Sequence, residues 1–365
     1  MPSTTLRIGF IPLVDCALLA IAQERHFFAA NGLCVELRKA QSWGAIRDNL
    51  TSGDVDAAHL LITMPLQSAL AADAKARALC YAFTLSRNGN GIILSNALWK
   101  EGVRDAAGLS SWMAARPESP VRLGVVFPRG TQEYFLRSWL AKGGLGLDGR
   151  VSLTIIPPQE MVGRLRKGEI DGFCVGEPWT RRATASKLGR LVADSAGLLP
   201  GLGEKVLGVR AAWHREHAKE HGQVIRALSQ ASAWLADPGN LEVAVEILSS
   251  KRYVNTPKSV VEAALKDAAL RGLPGGLPEG DGANSRFSGG DPNRPARSHS
   301  QWYLEQMLRH GHVDVLSATR LEVTSVCLEG FYLEALSGFV QSPAAPATIG
   351  LPATFASGFP SASAA

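Results

Sequence analysis

The sequence predicts an α/β protein of two lobes with a ligand cleft between them. Three observations carry this expectation. The chain has 365 residues, about twice the usual length of one domain. Its first segment reads strand, helix, strand, helix, strand. The same order then returns: Val121-Arg122-Leu123-Gly124 follows Leu6-Arg7-Ile8-Gly9, and Gly168-Glu169-Ile170-Asp171 follows Gly53-Asp54-Val55-Asp56, both at an offset of 115 residues.

Leu6 to Pro12 is a short apolar run closed by proline, the signature of a buried strand. Ala17 to Phe28 places Leu18, Leu19, Ala22 and Phe27 at helical spacing, and Asn31-Gly32 ends that helix. Cys34 to Leu37 alternates as a second strand. Ala45 to Leu50 starts a helix that stops at Ser52-Gly53, and Asp56 to Leu61 is the third strand, ending near Pro65. In the second copy, Tyr134 to Lys142 is helical, Gly143-Gly144-Leu145 matches Asn31-Gly32-Leu33, and Val151 to Ile156 is a strand. Beyond Lys205 the pattern turns helical, over Ala218 to Leu235, Leu241 to Leu248 and Pro257 to Leu270. Gly272 to Ser298 is rich in Gly, Pro, Asn and Asp and reads as a lid or surface excursion. Ser300 to His310 is an amphipathic helix, and Ala318 to Phe339 predicts one more. Residues 341–365 carry no charge and are mostly Ala, Pro, Ser and Gly, a composition that predicts disorder.

Composition excludes several classes. With 46% hydrophobic and 19% charged residues the chain is globular. A net charge of +5 with no block of like charges argues against direct nucleic-acid binding, because phosphate recognition clusters Lys and Arg on one face. The five cysteines, Cys16, Cys34, Cys80, Cys174 and Cys327, show no CxxC spacing and read as reduced core residues. Met1-Pro2-Ser3-Thr4-Thr5 runs straight into the first strand without a basic segment and apolar core, and no apolar run reaches the length of a membrane span; the expectation is a cytoplasmic chain without a membrane span. His214, His217 and His221 have helical spacing but sit among Arg215, Glu216, Lys219 and Glu220, which predicts a solvated helix face and no metal site. Neither a GxxxxGK[ST] nor a GxGxxG loop nor a GxSxG elbow occurs, so no cofactor, nucleotide or serine nucleophile is expected.

Ligands of open α/β sheets bind beyond the carboxyl ends of strands. At such places lie Pro12 to Asp15, Ser42-Trp43-Gly44, Ile62 to Pro65, Asn88 to Asn90 and Phe127 to Gln132. Gly176-Glu177-Pro178-Trp179 follows a strand in the second lobe; Glu177 either faces the cleft or caps a helix. Arg129 is a surface charge on a loop or an anion contact.

These stretches carry a resemblance. Leu6 to Leu13, Trp43-Gly44-Ala45-Ile46-Arg47-Asp48, Gly53 to Leu60, Pro157 to Val162 and Arg297-Ser298-His299-Ser300 resemble the nitrate- and bicarbonate-binding proteins of the ABC transporter substrate-binding type. The resemblance covers residues 6 to about 335. Gly172 to Trp179 and Glu204-Lys205-Val206-Leu207-Gly208 are most similar to its soluble nitrate/nitrite sensor (NasS-like) branch. It implies a type II periplasmic-binding-protein-like fold, lobe one being residues 6–92 plus 205–340 and lobe two 93–204, with hinges near Asn90 and Lys205. It also implies a nitrate pocket of tryptophan, glutamine, histidine and lysine. Trp43 matches the tryptophan, whereas Asn90 stands for the glutamine, Gln132 for the histidine and Ser195 for the lysine. The lost lysine removes the obvious countercharge; either Arg129 replaces it from the next loop or the ligand is a different or neutral one.

The expected function is therefore sensing: a small anion, nitrate or nitrite, closes the lobes and alters the surface offered to an RNA-binding antiterminator. The alternative is the binding component of a nitrate/bicarbonate-type ABC importer. A pyrimidine-precursor synthase of this fold is a third class, and no cluster of histidine and cysteine supports it; the chain is not expected to be an enzyme.

Overall fold

The structure, a computed structural model, describes residues 5–71, 78–266 and 291–337. The strands are β1 (Leu6–Phe10), β2 (Val35–Lys39), β3 (Ala57–Leu61), β4 (Leu79–Arg87), β5 (Asn90–Ser95), β6 (Val121–Val125), β7 (Val151–Ile155), β8 (Gly172–Gly176), β9 (Gly189–Asp194) and β10 (Gly203–Arg210). They form two five-stranded sheets, in the orders β2-β1-β3-β10-β4 and β7-β6-β8-β5-β9. The two sheets have the same plan. Each has three parallel strands followed by an antiparallel one: β10 pairs β3 and β4, and β5 pairs β8 and β9. That antiparallel strand is in each case the one the chain enters after leaving the other sheet.

The 115-residue repeat is also a repeat of contacts. In the first sheet Arg7 donates from its backbone N–H and Nε to one carboxylate oxygen of Asp56, from Nη2 to the other at 3.0 Å, and from Nη2 to the Gly53 carbonyl at 2.9 Å. In the second, Arg122 makes the same four bonds to Asp171 and Gly168, the last two at 3.1 and 2.8 Å. A bidentate guanidinium–carboxylate fork fixes both distance and orientation, so each clamp pins the start of one strand to the turn that precedes another.

Local signals place the helix that carries Trp43. Ser42 has extended backbone and its Oγ accepts from Ala45 N–H at 3.1 Å, an N-cap that starts helix Trp43–Ser52. Gly53, at φ 89°, ends it in the left-handed conformation that suits glycine. Two expected helices are broken. Ala17 to Phe28 stops at Glu24, because His26 adopts φ 58° and restarts the chain as Phe27–Ala30. Ala318 to Phe339 is replaced by Val315–Arg320, Val323–Val326 and Glu329–Leu336. The reason is tertiary: Cys327 forms a parallel bridge with Tyr81 on β4, and Leu328 N–H donates to the Tyr81 carbonyl at 2.9 Å. The stretch expected to be disordered, 341–365, and most of the expected lid lie outside the described residues.

A core on the outer side of the first sheet holds Ile8, Leu19, Ile21, Phe83, Ile225 and Leu228, and another in the second lobe holds Leu94, Leu123, Val125, Leu136 and Leu140. A third joins the lobes. Trp43, Ile46, Leu61 and Val206 pack there with Phe127, Tyr134, Phe173 and Val175, so the cleft is closed over apolar contacts at its margins. Cys16, Cys80, Cys174 and Cys327 are buried and free, while Cys34 is exposed at a strand entrance, against the expectation that it would be a core residue. His221 is buried too, not solvated: it packs on Trp213 and Phe331, with its Nδ1 3.0 Å from His214 Nδ1. The expected single face does not exist, because the helix breaks at His217: His214 lies near the end of Ala211–Glu216 and His221 on Ala218–Ala236, whose buried side it joins, while His217 is exposed.

Candidate functional site

The chain leaves the first sheet after β4 and enters the second at β5 through Asn88 and Gly89, both at positive φ, 58° and 97°. It returns between β9 and β10 through residues 195–202. Asn88 ties these crossings together. Its Nδ2 donates to the carbonyls of Ser195 at 3.0 Å and Leu199 at 2.8 Å, and its Oδ1 accepts from Gly201 N–H at 2.7 Å.

Next to this hinge, four of the residues singled out from sequence join one buried polar network. Asn90 opens β5; its backbone N–H donates to Ser195 Oγ at 3.1 Å, and its side-chain Oδ1 accepts from Gln132 Nε2 at 3.0 Å. Gln132 lies in the first turn of helix Thr131–Lys142. Gly130 precedes that helix in a tight place: a Cβ there would lie 3.0 Å from the Phe127 carbonyl and 3.1 Å from Leu61 of the opposite lobe, so a larger residue would press on both. The Ser195 hydroxyl favours the ionised form of Glu204, and Glu204 Oε2 lies 3.2 Å from Lys205 Nζ. Lys205 Nζ lies 3.2 Å from Asp15 Oδ2, and Asp15 Oδ1 lies 3.3 Å from His59 Nε2, an approach without hydrogen-bond geometry. The His59 ring meets Trp43 edge to face at 5.2 Å between centroids. Trp43, Asn90, Gln132 and Ser195 are thus linked through four residues outside that selection: Asp15, His59, Glu204 and Lys205.

Two selected residues stand apart. Arg129 is exposed, with φ 54°; its backbone N–H donates to Glu133 at 2.7 Å and its carbonyl accepts from Gln67 of the other lobe at 2.9 Å. The left-handed turn spends the backbone on knitting the loop and leaves the guanidinium at the surface, so Arg129 does not replace the missing cation inside. Glu177 is buried, but its carboxylate accepts from Arg181 N–H at 3.2 Å and pairs with Arg181 Nε at 3.2 Å, the helix-capping alternative. Its carbonyl also accepts from Val14 N–H across the cleft at 2.9 Å.

The internal cation is Lys205, whose side chain is 0% exposed. Burial opposes its charge, but Asp15 and Glu204 outweigh that and hold its pKa above the ordinary lysine value. Burial pushes the Glu204 carboxyl upward, with Lys205 and Ser195 working the other way. These directions agree: the ammonium is kept, and Glu204 is the weak acid beside it. Burial also pushes His59 down to about 4, so its imidazole is neutral near pH 7. The signal for Lys205 was present in the strand Gly203-Glu204-Lys205-Val206-Leu207-Gly208: two adjacent charges in an apolar strand flanked on both sides by neighbours must be paired inside.

Around this network several buried donors have no hydrogen-bond partner within the protein: Trp43 Nε1, Asn90 Nδ2, Thr63 Oγ1 and Thr180 Oγ1. Trp43 follows β2, Thr63 follows β3 and Thr180 follows β8. Asn90 pairs with Gly176 at the end of β8. All four therefore sit at the carboxyl edge of a parallel strand, the edge where both lobes meet. Unsatisfied buried donors are rare and costly, and a group of them around one cleft is what an oxygen-rich ligand would satisfy. An open cavity of about 410 Å³ is lined by Arg47, Asp48, Gln67 and Phe127 among others. Among the described residues no cluster of three metal-ligating side chains occurs, and no helix is long and apolar enough to cross a membrane.

Residues 1–249 match the profile of the NMT1-like family. The bicarbonate transport ATP-binding protein CmpC of Synechococcus elongatus is 34% identical over 315 residues, covering 86% of this chain and 46% of that protein; the chain spans about half the length of this relative. The nitrate/nitrite binding protein NrtA of the same organism is 31% identical over 359 residues, covering 93% of this chain and 79% of the relative. The crystal structure of the periplasmic nitrate-binding protein NrtA from Synechocystis PCC 6803 superposes with a TM-score of 0.80 at 30% identity, over 93% of this chain and 89% of that one. The alkanesulfonate-binding protein SsuA from Xanthomonas axonopodis, at 18% identity and a TM-score of 0.63, shares the two-lobed binding-protein fold.

Proposed function

The chain belongs to the NMT1-like family, and from that membership we propose that it binds a small oxyanion of the nitrate class in the cleft between its lobes. The observation that carries the reading is the set of buried, unpartnered donors at the facing strand ends, with Trp43 Nε1 and Asn90 Nδ2 on residues linked through His59 and Ser195 to the network that holds Lys205. The indole N–H donates to one oxygen of a planar anion while its walls exclude water, and Asn90, held by Gln132 and Ser195, presents its amide to another. Lys205 supplies the positive charge that Ser195 and Arg129 do not.

The names of the relatives favour a role as the anion-binding unit of a nitrate- or bicarbonate-type importer over the cytoplasmic sensor with an antiterminator partner. Lobe closure serves either role, since it hides the ligand and remodels the outer surface together.

Calorimetric titration with nitrate, nitrite and bicarbonate tests the binding. Trp43→Ala removes a donor and a wall, and its expected effect is a loss of about 1–3 kcal/mol, the scale of a buried hydrogen bond. Unchanged affinity in that variant moves the ligand elsewhere. For the role, deletion of the gene should abolish high-affinity anion uptake and leave induction of assimilation transcripts intact; the opposite outcome selects the sensor.

A further inference from the structure

The charge count around Lys205 leaves the proposed anion without a countercharge of its own. Lys205 already faces two carboxylates at 3.2 Å, Asp15 and Glu204, with side-chain exposures of 13% and 2%. His59, the other basic group of the network, is neutral near pH 7 because burial pushes it down to about 4. With both carboxylates ionised, a bound monoanion would make three negative charges against one positive in a closed site. Buried like charges avoid this by taking up a proton, at the most buried group whose neutral form keeps its contacts.

We propose that the cleft takes up one proton with each anion, and that Glu204 carries it, as a specificity-determining residue of the site. This rests on the anion-binding reading above. Glu204 suits the role by position. It lies 3.2 Å from Lys205, and the Ser195 hydroxyl that orders Asn90 favours its ionised form, so its charge is felt by the ligand shell without occupying it. A neutral carboxyl there still accepts from Lys205 and now holds a proton to share with Ser195. Lys205 is then left to Asp15 and the anion, two charges against one instead of three. The other titratable groups that face Glu204 do not compete. Cys174 on β8 and Tyr303 on helix Arg297–Arg309 are held well above their ordinary values by burial and stay neutral, while Asp15 keeps both a lysine contact and more solvent. His59, facing Asp15 and Lys205, is the remaining acceptor and is decided by experiment.

The test is calorimetric titration of the whole chain with sodium nitrate and with sodium nitrite between about pH 6 and pH 9, where both anions stay ionised, in pairs of buffers that differ in ionisation enthalpy. The expected result is a Kd that rises about tenfold per pH unit over at least one unit of the range, with buffer-dependent heats that report one proton taken up per anion. Glu204→Gln, neutral at every pH, is expected to flatten the dependence and to keep the wild-type acid-limb affinity at alkaline pH. Three results overturn the inference: a wild-type Kd that varies less than about twofold across the range, buffer-independent heats, or a slope that persists in Glu204→Gln and vanishes in His59→Asn. The wild-type measurements decide proton uptake even if a variant fails to fold. Failure of both anions to bind at any pH overturns the anion reading itself and this inference with it, and is distinguished from a flat but measurable Kd.

Discussion

Replacing Lys205 by methionine keeps length and apolar volume but removes the charge. The side chain is fully buried and lies 3.2 Å from both Asp15 Oδ2 and Glu204 Oε2. Loss of one partner from a buried ion cluster leaves the remaining charges uncompensated, a cost of about 3–5 kcal/mol where the carboxylates are ionised. Once the pH is low enough for Glu204 to hold its proton the cost falls, toward about 1–2 kcal/mol, that of lost hydrogen bonds. The sign follows from Glu204. Its folded pKa is raised above the ordinary carboxylate value, so the folded state holds the proton to higher pH than the unfolded chain. Stability therefore declines as pH rises from the ordinary carboxylate range through the folded value, and removing the ammonium steepens that decline. Urea unfolding followed by circular dichroism at about pH 5 and pH 8 measures it. A loss under about 1 kcal/mol at the higher pH, or an equal loss at both, would refute the pairing of Lys205 with two charged carboxylates.

Two further perturbations follow from named contacts. Burial, foremost, pushes His59 to about 4 and His221 and His299 to about 3, so the unfolded chain binds protons that the fold refuses. Stability is present above about pH 6.5 and is lost as pH falls through that window, by on the order of 3–5 kcal/mol per imidazole once all are forced to charge; His221→Phe should shallow the acid limb of the urea midpoint, and a midpoint constant from pH 7 to pH 4 would count against it. Asn88→Ala deletes three side-chain hydrogen bonds at a residue with φ 58° and is expected to cost about 2–4 kcal/mol, with Asn88→Gly recovering about 1 of that because glycine tolerates the left-handed turn; equal melting curves for the two variants would show that the backbone conformation contributes nothing.

Trp43 was legible because local chemistry fixes it: Ser42 caps, Gly53 stops, and the indole stands where a strand ends and a helix begins. The repeat was legible for the same reason, since Arg7 and Arg122 sit at equal places in equal patterns. Lys205 was not. Whether a lysine in a strand points to water or to a carboxylate depends on Asp15, far away in sequence, and on β3 and β4 closing both flanks. The same holds for the helix expected over Ala318 to Phe339, whose break is set by Tyr81 on β4 and by no residue within it. Arg129 failed differently: a non-glycine residue at positive φ reverses where its side chain points, and nothing in Pro128-Arg129-Gly130 announces this.

The amide of Asn88 has a mechanical consequence. Because one side chain bonds both connections between the sheets, Asn88 works as a rivet through two straps: the backbone at 88–89 and the backbone at 195–201 cannot change shape independently without breaking at least one of three hydrogen bonds. Asn90 and Ser195, joined to each other at 3.1 Å beside that rivet, are thereby held in register from both connections at once. Trp43 has no such tie: it rides on a helix of the other sheet and meets this register only through the packing between them.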